Sequence, residues 1–137
     1  MLPLKKFFPA IAWFFLVLVL ICLPGYDLPS PDTWMNAVMF DKWIHAGLFS
    51  VLAFLFMRPF AISSLPVTKK LQALIKIAGC VSIWGLTTEF IQEFFIALRT
   101  FDWGDWIADS LGALLALIIV RKIYLRDKAK KDRHVSA

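Results

Sequence analysis

Charge is scarce in this sequence. Only 18% of its 137 residues are Asp, Glu, Lys or Arg, and 60% are hydrophobic. A soluble globular domain carries about 25% charged and about 45–50% apolar residues. The shortage therefore argues against a water-soluble fold and excludes a disordered chain. Histidine and cysteine are scarcer still, at two each. There is no Cys-x-x-Cys, no paired His ligands, no Gly-rich phosphate loop and no internal repeat. Spacing thus offers no metal site and no cofactor site. The length allows one domain, with no room for a soluble catalytic domain beside a membrane part.

What the sequence has instead is long apolar runs, with a mean hydropathy of +0.72. Phe7–Leu23 carries no charge, follows Lys5 and Lys6, and stops at Pro24 and Gly25, where a helix ladder breaks. The run is long for a signal-peptide core. No small-x-small cleavage site follows it, and Ile21 stands before Cys22 where a lipobox needs a small residue. It reads as a retained span. Residues 24–40 read as a loop rich in Pro and Asp. Further spans are predicted over about 41–60, 71–95 and 105–124. Each is near the roughly 20 residues that cross hydrocarbon, and with no water to satisfy a bare backbone each must be a helix. The expected fold is all-α, a four-helix integral membrane bundle. It divides into a short N-terminal segment (1–6), a membrane domain (7–124) and a basic tail (125–137).

The basic residues set the orientation. With both termini and the loop after the second span cytoplasmic, thirteen of the fifteen Lys and Arg fall on that side. Only Lys42 and Arg99 fall on the other. The positive-inside rule gives N-in and C-in. Eight of the ten acids do the reverse and lie on the outer half. The high pI of about 9.4 is then a topology signal. The basic tail suits anionic lipid headgroups, and no nucleic-acid partner is expected. Cys22 and Cys80 lie near opposite ends of their spans, too far apart in depth for a disulfide.

Three polar clusters remain, all on the outer half. Asp41, Lys42 and His45 open the second span, with Asp41 and His45 four residues apart on one face. Glu89, Gln92 and Glu93 lie at the outer end of the third. Arg99, Asp102, Asp105 and Asp109 run into the fourth, the last three forming one stripe. That stripe continues into Gly112, Ala113 and Ala116, small residues that let another helix approach closely. An acid within a span costs a few kcal/mol, so it needs a partner or a wet cavity. Lys42, His45 and Arg99 are the partners in reach. Plainer roles are also open. Asp102 and Asp105 suit helix capping, Asp41 suits capping of the second span, Arg99 suits a surface ion pair, and Glu93 suits solvation. His45 also suits a packing role. The six tryptophans mostly suit interfacial anchoring.

At these residues the sequence resembles the VanZ-like family of small bacterial membrane proteins. The matching segments are Asp41-Lys42-Trp43-Ile44-His45 with Phe49, then Thr88-Glu89-Phe90-Ile91-Gln92, and then Arg99 through Gly112 (RTFDWGDWIADSLG). The likeness covers about residues 38–120. Asp109 stands where family members commonly carry Asn, which adds a potential charge. The family's namesake is linked to low-level resistance to teicoplanin. The resemblance therefore implies a cell-envelope role in the bacterial cytoplasmic (inner) membrane, with no assigned mechanism.

Three functions fit these residues. The first is an outer-leaflet site for an anionic lipid-linked or glycopeptide-type ligand. Its candidate residues are Asp41, Lys42, His45, Glu89, Gln92, Arg99, Asp102, Asp105 and Asp109, and its partners are membrane lipids or a lipid-linked envelope precursor. Arg suits bidentate recognition of phosphate or carboxylate. The second is an intramembrane enzyme in which His45 serves as acid or base tuned by Asp41 or Glu89. There Glu89 and Asp109 would share a proton or a divalent cation. Ser110 and Thr88 lack an evident base to make either a nucleophile. The third is a structural accessory of a larger membrane complex.

Overall fold

The computed structural model describes residues 2–23 and 34–125. Pro24, Gly25, the acids of the first loop and most of the basic tail lie outside the described residues. Four α-helices make up the fold, and the described residues contain no strand.

A short 3₁₀ turn, Leu4–Phe7, leads into α1 (Phe8–Ile21). Pro9 stands at the start of α1, where its missing N–H costs nothing. Helix α2 spans Trp34–Ala61. The expected loop over 24–40 is therefore too long, because residues 34–40 are helical. Between Pro31 and Asp41 the sequence holds no Pro or Gly to break a ladder, so the helix starts early. Helix α3 spans Val67–Phe95 and starts directly after Pro66. Helix α4 spans Trp103–Val120 and continues as a wider π-helical turn, Arg121–Leu125.

Helix α4 packs most extensively on α2 and next on α3, while α1 lies against α2 and touches α3. The core joins Val17 and Ile21 of α1, Phe49, Leu52, Ala53 and Met57 of α2, Leu74 and Val81 of α3, and Ala113, Ala116 and Val120 of α4. The close approach of α4 to α2 depends on Gly112. A Cβ there would collide with the Ala46 carbonyl oxygen and sit 3.0 Å from the Ser50 nitrogen. The expected small-residue stripe is thus a packing surface, with Gly112, Ala113 and Ala116 all buried.

Polar ties cross between helices. The Trp13 indole N–H donates to the Leu48 carbonyl at 3.0 Å, and that of Trp106 donates to the Ser82 carbonyl at 3.1 Å. The Ser82 and Ser110 hydroxyls share a hydrogen bond of 2.7 Å, and the Gln92 amide donates to the Ile21 carbonyl at 3.3 Å. Lys70 is fully buried and donates to the Ala61 carbonyl at 2.8 Å, closing the C-terminus of α2. Trp13 and Trp106 are therefore interhelical donors. Trp43 and Trp103 are largely exposed, as interfacial anchors would be.

The outside of the bundle is apolar. Phe15 and Val19 of α1, Ile75 and Ile83 of α3, and Ile107, Leu111, Leu114 and Leu115 of α4 all face outward. Apolar side chains thus cover the outside as well as fill the core, which is unlike the surface of a water-soluble monomer. Three helical segments are long and apolar enough to cross a membrane: Leu4–Ile21, Phe40–Ala61 and Val67–Phe95. Helix α4 is not one of these. It carries Asp105 and Asp109 in its first two turns, so its uninterrupted apolar part is short.

Candidate functional site

Charge is segregated along the bundle. Lys5, Lys6, Arg58, Lys69, Arg121 and Lys122 sit at one end, beside the α2–α3 connection and the two outer helix termini. The other end gathers the polar residues singled out from the sequence.

Helix α2 contributes Asp41, Lys42 and His45. Because α2 begins at Trp34, Asp41 lies within the helix, and the expectation that it caps this span is not met. Its carboxylate lies 3.9 Å from the Arg99 guanidinium. The Lys42 ammonium donates to Asp102 at 2.7 Å and to Asp105 at 2.9 Å. His45 is buried, and its Nδ1 lies 3.0 Å from Oδ1 of Asp109, while Nε2 lies 4.0 Å from Asp105. The sequence offered Asp41 or Glu89 as the carboxylate that tunes His45. The hydrogen-bonding partner is Asp109, because α4 packs so closely on α2 that its stripe reaches the ring first.

Helix α4 contributes the acids. Asp102 caps it, with extended backbone and a side chain that accepts from the Gly104 N–H at 2.6 Å. Asp105 is buried and pairs with Lys42 and His45, so capping describes Asp102 only. Asp109 is fully buried. Gly85 of α3 makes room for it, since a Cβ at Gly85 would stand 2.7 Å from Asp109 Oδ2. Asp102 lies outside the helices' apolar stretches. Its carboxyl is held below the usual carboxylate value chiefly by the Lys42 hydrogen bond, against some loss of solvation.

Helix α3 contributes Glu89, which is fully buried. One of its oxygens accepts the Asp102 backbone N–H at 3.0 Å, and among the described residues Oε1 has no hydrogen-bond partner. Asp109 Oδ2 is also without one. Gln92 is buried but is spent on the Ile21 carbonyl, so it ties α3 to α1 rather than joining the cluster. Glu93 accepts the Phe101 N–H at 2.6 Å and fastens the α3–α4 loop. That loop turns at Leu98, whose φ of 59° is left-handed and costly for a branched side chain. The turn returns Arg99 over the cluster. Its side chain is 15% exposed, and its Nε is buried without an acceptor among the described residues.

Eight of the nine expected site residues therefore converge, and Gln92 stands apart. Two candidate nucleophiles are removed from the cluster by their partners. Thr88 donates to the Gly85 carbonyl at 2.7 Å, and Ser110 pairs with Ser82. His45, Glu89 and Asp109 offer ligand atoms all within 4.8 Å of one another, and so do Asp41, His45 and Asp105. The sequence suggested the Asp41–His45 face and a cation or proton shared by Glu89 and Asp109, but not that His45 joins the latter pair, because these three residues lie on three helices far apart in the chain.

Compared with known proteins, the chain is 32% identical over 125 residues to "Uncharacterized protein C11E3.10" of Schizosaccharomyces pombe. The match covers 90% of this chain and 68% of the yeast protein. The chain belongs to the family of that protein. The matched stretch is long enough to take in most or all of the bundle, so the family has a member in a fungus. No family profile and no solved structure matches the chain.

Proposed function

We propose that this is a VanZ-like membrane protein whose polar end binds an anionic headgroup, a phosphate or carboxylate carried on a lipid. The bundle then spans the bilayer four times with both termini inside, and α4 is the fourth span. The outward Ile107, Leu111, Leu114 and Leu115 support that role for α4, and the basic end fits the cytoplasmic face. The observation that carries the reading is Arg99. It is a permanent cation with a long ion pair of 3.9 Å and a buried, unsatisfied Nε, placed at the rim of the cluster. A guanidinium with free donors matches the fork of a phosphate or carboxylate. Lys42, by contrast, is spent on two carboxylates and orders the site.

The resemblance supports placing the protein in the bacterial cytoplasmic membrane, with a lipid-linked envelope precursor as ligand and a contribution to teicoplanin tolerance. The fungal family member favours a headgroup chemistry that is not confined to peptidoglycan. The test is native mass spectrometry of the purified protein with undecaprenyl phosphate, phosphatidylglycerol and, as the zwitterionic control, phosphatidylcholine. Arg99→Ala should weaken binding of the anionic lipids by about tenfold or more, and Arg99→Lys by less, because Lys lacks the fork. Equal binding by wild type, Arg99→Ala and His45→Ala, with unchanged teicoplanin tolerance at equal expression, sinks the reading.

An enzymatic reading rests on one observation, the buried His45–Asp109 pair at 3.0 Å, which is the geometry of an oriented acid–base group. The Ser110 and Thr88 hydroxyls are bonded elsewhere, so water is the nucleophile this reading calls for. Turnover of a lipid-linked phosphate that disappears in His45→Ala while binding persists would favour catalysis over binding.

A further inference from the structure

The cluster holds more carboxyl groups than permanent cations, and three of them, Glu89, Asp105 and Asp109, are buried. Asp41, Glu89, Asp102, Asp105 and Asp109 face the two permanent cations Lys42 and Arg99. His45 lies among them, against Asp109 and Asp105. Burying an uncompensated carboxylate is expensive, and each buried acceptor needs a donor or a metal. Two carboxylate oxygens lack a donor among the described residues. Glu89 Oε1 and Asp109 Oδ2 belong to fully buried side chains and have no hydrogen-bond partner among the described residues. Both carboxylates belong to the group in which His45, Glu89 and Asp109 bring ligand atoms within 4.8 Å of one another. Gly85 keeps the wall beside Asp109 bare, since any Cβ there would press on Oδ2.

The geometry points to a divalent cation site formed by His45, Glu89 and Asp109. One imidazole nitrogen and two carboxylate oxygens suit first-row ions such as Zn²⁺ or Mn²⁺ better than the all-oxygen cages of Ca²⁺. Ligand atoms around such an ion stand about 2.0–2.2 Å from it, so small side-chain rotations from the present spacing would complete the set. The second group, Asp41, His45 and Asp105, is the weaker choice. Asp105 is already held by Lys42, and Asp41 is only half-buried. In the chosen site Asp102 and Lys42 act from behind. The Asp102 N–H holds one Glu89 oxygen, and the other is buried with no hydrogen-bond partner among the described residues. The cation does not depend on the headgroup reading, because the ligands come from the protein alone.

The experiment uses the full chain, purified in detergent with a tag that lacks histidine, stripped with a chelator and then dialysed against Zn²⁺ or Mn²⁺. Elemental analysis should find about one ion per chain, and adding back the ion should raise the unfolding temperature. His45→Ala, Glu89→Gln and Asp109→Asn should each lower affinity at least tenfold, while Glu93→Gln at the same end should not. His134 is the other histidine. In a His134→Ala background, bound Mn²⁺ should therefore show nitrogen coupling in its electron-spin-echo spectrum, from His45. That spectrum is read on a chain with the site intact, so it decides the matter even if a site variant fails to fold. Less than a tenth of an ion per chain, absence of nitrogen coupling, or folded site variants that retain full metal binding would overturn the site. No lipid is present in this measurement, so its failure leaves the headgroup reading standing.

Discussion

Asp102 does three jobs with one residue. Its side chain caps α4, its backbone N–H supports Glu89, and its carboxylate anchors Lys42. The Lys42 bond holds its pKa below the ordinary 3.8, so the carboxyl is harder to protonate in the folded chain than in the unfolded one. The sign follows directly. The stabilisation is fully present above about pH 4 and is lost as pH falls through the depressed folded value. The effect is small, because the side chain is about half exposed and solvent screens the pair. Thermal unfolding in detergent from pH 7 down to pH 3 should show a fall at the acid end. Asp102→Asn should shrink that fall while also lowering stability at neutral pH. An unchanged acid limb in the variant removes Asp102 as its source. Most of this residue's neighbourhood was legible from Asp102, Asp105 and Asp109 on one stripe. Its tie to Glu89 was not, since a backbone N–H meeting a distant carboxylate leaves no trace in spacing. Lys70 shows the same limit. It reads as one of many cytoplasmic cations, yet its ammonium is buried on the Ala61 carbonyl.

At the level of helices, the pairing of α2 with α4 assembles the site, and it turns on Gly112. The obstacle to a side chain there is backbone, the Ala46 carbonyl and the Ser50 nitrogen, which cannot rotate aside. Gly112→Ala should therefore push the helices apart and cost about 1–3 kcal/mol, the usual penalty for overpacking. The same shift would draw Asp109 from His45, so ligand or metal binding should weaken along with stability. Gly47→Ala is the control. Nothing stands within 4 Å of its Cβ, and alanine is the better helix former by about 0.5–1 kcal/mol. Equal unfolding temperatures for the two variants in one detergent would mean that α2 and α4 are not held by this contact. The helices were legible because apolar runs and Pro punctuation mark them. The small-residue stripe correctly indicated a close neighbour, though not which helix it would be. That choice decides that Asp109, rather than Asp41 or Glu89, holds His45.

Across the whole molecule, the separation of charge is the feature that ties fold to orientation. One end is basic, from Lys5 and Lys6 to Arg58, Lys69, Arg121 and Lys122, and the other holds the carboxylate cluster. In a membrane whose inner leaflet is anionic, about 1 kcal/mol of attraction per surface Lys or Arg would hold the basic end inside. The polar cluster would then face out, beneath the α3–α4 loop. Thiol labelling separates this arrangement from its inverse. With Cys22 and Cys80 replaced by Ala, a single cysteine is placed at Ser64, in the α2–α3 connection, or at Ala97, in the α3–α4 loop. In intact cells a membrane-impermeant maleimide should label Ala97→Cys at once and Ser64→Cys only after permeabilisation. Ala97 is exposed and lies outside every helix, so its labelling reports side rather than burial. The opposite pattern would turn the cluster toward the cytoplasm. An outer-leaflet ligand would then be ruled out, whereas the cation site, built only from side chains within the bundle, would remain to be read by its own spectrum.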